Sequence, residues 1–438
     1  MKNKNNIQYI SKNNLCTACG GCSSICPVNS ISMDTNVAGY ILADVNNNTC
    51  IECAKCLKVC PSVKNNISGT DYNDIFHGNV VCCYIGYAVD NEIRKVSQSG
   101  GIVTALLCYL VNSKKVDGAI VNRFDTETKR PKVYYENEVV KIKESSGSYY
   151  TQSSVVEEIL EHQDKKTAAV LLGCQSESIQ LIKEKFPKVV IPEYLIGLVC
   201  AGQHSGNYID EIIKRAGDFN QDISRFRFRD KEAGGWPGHT KIESINGKSK
   251  IIDRSIRQSL KSAFEVHRCL FCFDQMNINS DITVGDPWGI HEKNDKKGHS
   301  VIIARTEKGK ELIEEAAKTG AIYVEDVSTD RIFQGQTVDS RLKTQFFTTM
   351  KTAETCEYET PYNINSFQHI KYEKPSKKQE KILKMRFDFS RKIYSSTNEN
   401  DYKRMIDNSM KKIDYNRKIR KVKAFPKKVL SFIYNRLK

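Results

Sequence analysis

The sequence predicts two folded parts and a tail: a small α+β module, then a larger α/β domain, then a basic, mostly helical C-terminal stretch. Three observations carry this prediction. Two cysteine runs of identical spacing, Cys16-x2-Cys19-x2-Cys22-x3-Cys26-Pro27 and Cys50-x2-Cys53-x2-Cys56-x3-Cys60-Pro61, lie near the N-terminus. From about Val80 strand-like and helix-like segments alternate, the pattern of an α/β domain. Residues 361–438 hold 22 Lys and Arg against 7 Asp and Glu, which is the whole formal excess of +15 on the 438-residue chain.

The first module, residues 1–70, rests on its cysteines. Each run matches the bacterial ferredoxin pattern, in which three closely spaced thiolates hold one 4Fe-4S cluster and the fourth, before proline, crosses to the other. This assigns Cys16, Cys19, Cys22 and Cys60 to one cluster, and Cys50, Cys53, Cys56 and Cys26 to the second. A cuboidal cluster needs thiolates converging from several directions, and a loop with x2 gaps presents three over a short path. Paired C-x2-C elements also build zinc ribbons, but the third cysteine, the fourth before Pro and the repetition of the unit argue for clusters. Ile31–Met33 and Tyr40–Leu42 read as short strands between the runs, which makes this an α+β ferredoxin-like dicluster domain. Lys64–Thr70 reads as the linker out of it.

The second part spans residues 78–360. Val80–Val89 is a β-branched run suited to a buried strand, and Gly101–Asn112 a helix that opens after a glycine pair. Val116–Val121, Ala168–Leu172, Leu195–Cys200, Asp281–Val284 and Ser300–Arg305 are further strands. Helical segments lie at Val155–His162, Ser178–Lys185, Tyr208–Ala216 and Gly309–Ala317. Four cysteines fall at element ends here: Cys174, Cys200 and the pair Cys269-x2-Cys272. Four thiolates suffice for one more cluster, although free cysteine is commonly a small buried hydrophobe. Cys82, Cys83, Cys108 and Cys356 are read that way.

With 45 charges of each sign outside the tail, the body is neutral, which argues against a nucleic-acid-binding surface. No apolar run approaches the ~18 residues of a membrane span, and the polar start has no signal-peptide core. Thiols destined for clusters must stay reduced, so a cytoplasmic location is expected. In the tail, Val422–Lys438 sets Phe425, Val429, Phe432, Ile433 and Leu437 at helical spacing beside basic residues. Two readings stand side by side: an amphipathic helix on an anionic membrane surface, or a terminal segment that docks on the body or stays solvated.

The later segments resemble a known family, the beta subunit of coenzyme F-420 hydrogenase and dehydrogenase with its bacterial and plant relatives. The pieces that match are the ferredoxin cysteines, Ser97-Gln98-Ser99-Gly100-Gly101, Gly147-Ser148-Tyr149-Tyr150, Gly173-Cys174-Gln175, Gly197–Gly202, Phe228–Lys231 with Trp236, Cys269-x2-Cys272, and Asp281-Ile282-x2-Gly285-Asp286-x-Trp288. The resemblance covers roughly residues 10–300. It implies an α/β flavin-binding domain that holds FAD, with Cys174, Cys200, Cys269 and Cys272 around a third cluster close to the flavin. One departure stands out: the family has Gly-Thr-Pro where this chain has Leu171-Leu172-Gly173 before Cys174.

Under that resemblance Ser99, Gly100 and Gly101 lie where backbone N–H groups at a helix start can cradle a phosphate. Arg229 and Lys231 could neutralise a pyrophosphate or an anionic substrate, and Asp286 completes the cofactor-binding candidates. His204, His267, Asp286 and Trp288 are candidates for proton transfer or stacking, with no catalytic residue assigned. There is no G-x-G-x-x-G fingerprint and no Walker A loop. The expected function is an iron-sulfur flavoprotein oxidoreductase that draws on reduced ferredoxin or another redox protein. Its acceptor would be a small molecule such as coenzyme F-420 or a glycan or cell-surface precursor. The alternative is an electron-relay subunit of a larger redox complex with no substrate of its own.

Overall fold

In the computed structural model, residues 5–63, 71–217, 223–290, 295–372 and 374–415 are described. The linker 64–70 and the amphipathic segment Val422–Lys438 lie outside them. The internal repeat of the first module is conformational as well as chemical. The second and fourth residues after the first cysteine of each run take left-handed backbone: Ala18 (φ 60°) and Gly20 (φ 89°) in one, Glu52 (φ 52°) and Ala54 (φ 57°) in the other. These reversals fold the loop back on itself, at about 1–2 kcal/mol for each residue other than glycine. A four-residue helix follows in each copy, Gly21–Ser24 and Lys55–Lys58. Between them β1 (Ile31–Thr35) and β2 (Ile41–Val45) pair antiparallel, Ile31 opposite Val45 and Thr35 opposite Ile41.

The second part is built on an eight-stranded mixed sheet. Its strands are β3 (Cys82–Ala88), β4 (Gly118–Asp125), β5 (Arg130–Glu136), β6 (Thr167–Leu171) and β7 (Tyr194–Leu198), followed after an intervening sheet by β11 to β13. The intervening strands β8 (Ile223–Asp230), β9 (His239–Ser244) and β10 (Ser249–Ile252) form their own antiparallel sheet, which the alternating reading of the sequence did not foresee. β11 (Ile282–Gly285), β12 (Ser300–Ala304) and β13 (Ile322–Asp326) complete the large sheet in the order β13-β3-β12-β11-β7-β6-β4-β5. Its centre, β11-β7-β6-β4, is parallel. Both flanks are antiparallel.

Side-chain alternation along the central strands divides the apolar residues between the two faces. Ala119, Val121, Ala168 and Ile196 pack with the helices Ile102–Asn112 and Glu307–Lys318. Ile120, Ala169 and Leu195 pack with the helices Val155–Glu161 and Gly173–Lys185, and with Cys19 and Val59 of the dicluster module. The module is thus seated on one face of the α/β domain.

Residues 361–438 read as one tail, yet their described part is packed. The helix Lys377–Tyr394 buries Phe387, Ser390, Ile393 and Tyr394. Tyr394 Oη donates to the Cys16 carbonyl, 3.1 Å, and Ser390 Oγ lies 2.8 Å from His267 Nδ1. A further helix at 399–415 is held by Arg215, which bonds Asp414 at 2.7 Å.

Candidate functional site

The twelve cysteines fall into three sets. Cys16, Cys19, Cys22 and Cys60 are all buried, and the field at Cys22 comes from Cys19, Cys16 and Cys60 in that order, with Cys56 of the second run after them. This is the inner quartet. Cys26, Cys50, Cys53 and Cys56 line one small cavity together with Asn6 and Pro27, and Cys53 is exposed. This outer quartet therefore sits at the surface. In the α/β domain Cys174 opens the helix Gly173–Lys185, Cys200 follows β7, and Cys269 and Cys272 lie on and just after the short helix His267–Phe271. Cys174 feels Cys269, Cys272, Cys19 and Cys200. The third quartet therefore forms despite the altered Leu171-Leu172-Gly173 loop, and Cys19 of the inner quartet adjoins it.

The surroundings fit iron-sulfur clusters. Backbone N–H groups donate to sulfur from Ala18 to Cys16, Ser62 to Cys60, Gly202 to Cys200 and Gln203 to Cys269, each at 3.4 Å, and from Ser30 to Cys26 at 3.3 Å. Such donors stabilise negative charge on a thiolate and tune a cluster's potential. Burial pushes the Cys16 and Cys272 thiols up to about 11. The protein alone would thus leave them protonated, and bound iron would have to supply the positive charge that holds them as thiolates. Among the described residues no three His, Cys, Asp or Glu close around a point as a single ion requires.

A cavity of about 420 Å³ opens at the C-terminal ends of the parallel strands, where Val121 and Asn122, Leu171 and Leu172, Leu198 and Val199, and Val284 and Gly285 line it. Ligands of open α/β sheets bind at this edge, and the volume lies in the usual range for ligand pockets. One wall is the start of the helix Ile102–Asn112, with Ser97, Ser99 and Gly101 beside it. Ser97, Asn122 and Thr151 line this cavity, and the enclosed Oγ, Oδ1 and Oγ1 of these side chains have no hydrogen-bond partner in the protein. Cys200 lines the same cavity. The third quartet and the ligand site therefore share a wall.

The other candidates distribute unevenly. Gly101 stands at φ 86° as the helix N-cap. Gly100 does not line the cavity: its N–H donates to Ser300 Oγ at 3.0 Å, and a Cβ there would meet the Gly86 carbonyl at 2.6 Å. Asp286 lines the cavity, held by the forked pair of bonds from Arg229 at 2.5 and 2.9 Å. Arg229 itself stands behind Asp286, and Lys231 donates to the carbonyls of Arg94, Ser99 and Lys297. Both therefore support cavity residues from outside. Trp288 lies tilted by 45° against Trp236, ring centroids 4.6 Å apart, and the Trp236 indole N–H donates to Asp286 at 3.2 Å. His204 lines the cavity, whereas His267 is buried against Ser390 and Phe387. Sequence reasoning missed Lys261 and Arg386, the cations of the opposite wall, and Arg386 pairs there with Glu265 at 2.6 Å. Nothing in their sequence context marks them.

Fold and site together define an iron-sulfur redox protein with a ligand cavity at the edge of its parallel sheet. Residues 15–63 match a 4Fe-4S dicluster domain. Residues 83–161 match the N-terminal region, and 164–330 the C terminus, of the coenzyme F420 hydrogenase/dehydrogenase beta subunit. The chain belongs to this family, in a form that carries its own dicluster domain.

The chain is 24% identical over 326 residues to the coenzyme F420-dependent sulfite reductase of Methanocaldococcus jannaschii, covering 70% of itself and 46% of that protein. It thus spans less than half of that relative's length. It is also 24% identical over 333 residues to one subunit of the F(420)H(2) dehydrogenase of Methanosarcina mazei, with 70% and 84% covered. Its fold is similar to a chain of the F420-reducing NiFe hydrogenase complex from Methanosarcina barkeri. The TM-score is 0.51 at 19% identity, over 64% of this chain and 94% of that one.

Proposed function

We propose that this chain is an FAD- and 4Fe-4S-dependent oxidoreductase that takes electrons from reduced ferredoxin at its dicluster module and delivers them to an organic acceptor at the cavity. The observation that carries this reading is the position of Cys200, which lies beside Cys269 and Cys174 and also lines the cavity. FAD, when bound, would supply the change from one-electron to two-electron chemistry. The helix start at Gly101 and Ile102 would receive its phosphates. Ser97, Asn122 and Thr151 would take its polar groups. Coenzyme F420 is the first acceptor to test, since it appears in the names of the relatives.

Anaerobically reconstituted protein should carry roughly 12 iron atoms per chain, as three 4Fe-4S clusters, and should release FAD on denaturation. Cys269→Ala with Cys272→Ala should lose about one third of the iron. Unchanged iron in that double variant would remove the third cluster. A second reading, an electron-relay subunit, is favoured by relatives named as subunits and by the fold shared with one chain of a complex. Failure of coenzyme F420 and of nucleotide- and lipid-linked sugars to reoxidise the reduced protein would support it.

A further inference from the structure

Arg268 is enclosed between two of the cysteine quartets. The residue is 2% exposed. Its Nε donates to Ser62 Oγ at 2.8 Å, and Nη2 donates to the Pro61 carbonyl at 3.1 Å and to Tyr362 Oη at 2.5 Å. The Tyr362 ring lies 4.9 Å from the guanidinium. None of these partners carries a charge. The nearby acid does not supply one in full, because burial pushes the Glu177 carboxyl up to about 7 even as Arg268 pulls it down. A guanidinium stays ionised in proteins, and an enclosed charge without a counter-charge is strongly disfavoured.

Its place in the chain shows where the counter-charge lies. Pro61 and Ser62 directly follow Cys60 of the inner quartet, and Arg268 directly precedes Cys269 of the third. Arg268 thus lies within electrostatic reach of Cys60 of the inner quartet and of Cys272 of the third. The outer quartet is surrounded differently: the surface residues Lys55 and Glu52 line its small cavity, and Cys53 acts on Cys56.

We infer that Arg268 is the shared positive counter-charge of the inner and third iron-sulfur centres and makes both easier to reduce, so that electrons can cross from the dicluster module into the α/β domain. This rests on cluster occupancy of the three quartets, as proposed above. The step is the arrival of one electron at either centre from reduced ferredoxin or dithionite. No bond forms or breaks and no proton moves, and the added negative charge meets a fixed cation.

The test is a redox titration of the full reconstituted chain, followed by electron paramagnetic resonance, on wild type, Arg268→Gln and Arg268→Lys. In Arg268→Gln the inner and third centres should become harder to reduce by roughly tenfold, about 59 mV for a one-electron couple, while the outer centre holds its potential. Arg268→Lys keeps the charge and should stay close to wild type. Should Arg268→Gln fail to assemble, Arg268→citrulline, neutral and of the same shape, decides in its place. Unmoved potentials in a neutral variant that retains its iron would overturn the inference, as would an equal shift of all three centres. Iron in the wild-type sample separates the two ideas: roughly 8 atoms instead of 12 would reject the third cluster, and the inner centre would still test Arg268.

Discussion

His204 sits on the cavity wall with its ring stacked on Tyr208, centroids 4.6 Å apart, and its Nδ1–H directed at the Tyr150 carbonyl 3.1 Å away. Burial, reinforced by Lys261, lowers its pKa to about 3, so it is neutral at pH 7 and cannot serve there as a cationic proton donor. The same shift is a stability statement. Because the folded value lies below the unfolded one of about 6.5, the unfolded chain binds more protons as pH falls through that range. Stability is full above pH ~6.5 and declines toward pH ~3. His204→Gln should flatten this decline by up to about 1.4 kcal/mol per pH unit, read from urea denaturation at several pH values. An unchanged slope would mean that the imidazole is not the group being titrated.

The helix Lys377–Tyr394 begins with a capping box in which Ser376 Oγ accepts from the Gln379 N–H and Gln379 Oε1 accepts from the Ser376 N–H. Its buried positions recur at three- and four-residue intervals, so one stripe faces inward and brings Arg386 to the cavity. There the guanidinium bonds Glu265 at 2.6, 2.7 and 3.2 Å. The Glu265 side chain is 9% exposed and that of Arg386 is 31% exposed. Arg386→Ala should therefore leave a mostly enclosed carboxylate unpaired and cost about 1–3 kcal/mol, reduced from the fully buried case by solvent at Arg386. Glu265→Gln added to it should restore part of the loss in chemical denaturation. Strict additivity of the two substitutions would show that the pair is not coupled.

Across the molecule the three quartets lie in sequence: the outer one at the exposed Cys53, the inner one around buried Cys22, and the third one beside Cys19 and against the cavity at Cys200. The exposed Cys53 makes the outer quartet the natural entry for electrons from a large donor protein under the function proposed above. Cys16→Ala with Cys53→Ala should slow reduction by ferredoxin while leaving reduction by a small reductant nearly intact, as followed by stopped-flow absorbance. Equal slowing of both, or of neither, would reverse or abolish the proposed direction of electron flow.

The sequence by itself determined the local chemistry. Eight cysteines in two identical spacings specify the dicluster module, because cluster ligation depends on loop spacing, and the alternation of apolar segments marks the strands β3, β4, β6, β7, β11 and β12 because their periodicity is local. Tertiary structure alone decided what long-range packing sets. The strand β10 is only four residues long and mostly exposed, and the grouping of β8, β9 and β10 into a sheet of their own is set by long-range pairing. The charge count that set residues 361–438 apart could not show that one apolar stripe on Lys377–Tyr394 would dock that segment. Arg229 and Lys231 suggest themselves by charge and Gly100 by a bare backbone N–H, but their partners come from elsewhere in the chain, and those partners turn them to support of the cavity wall. Arg268 and Arg386 are the reverse case. Each is an ordinary basic residue in the sequence, and burial beside thiols or a carboxylate is what gives its charge weight.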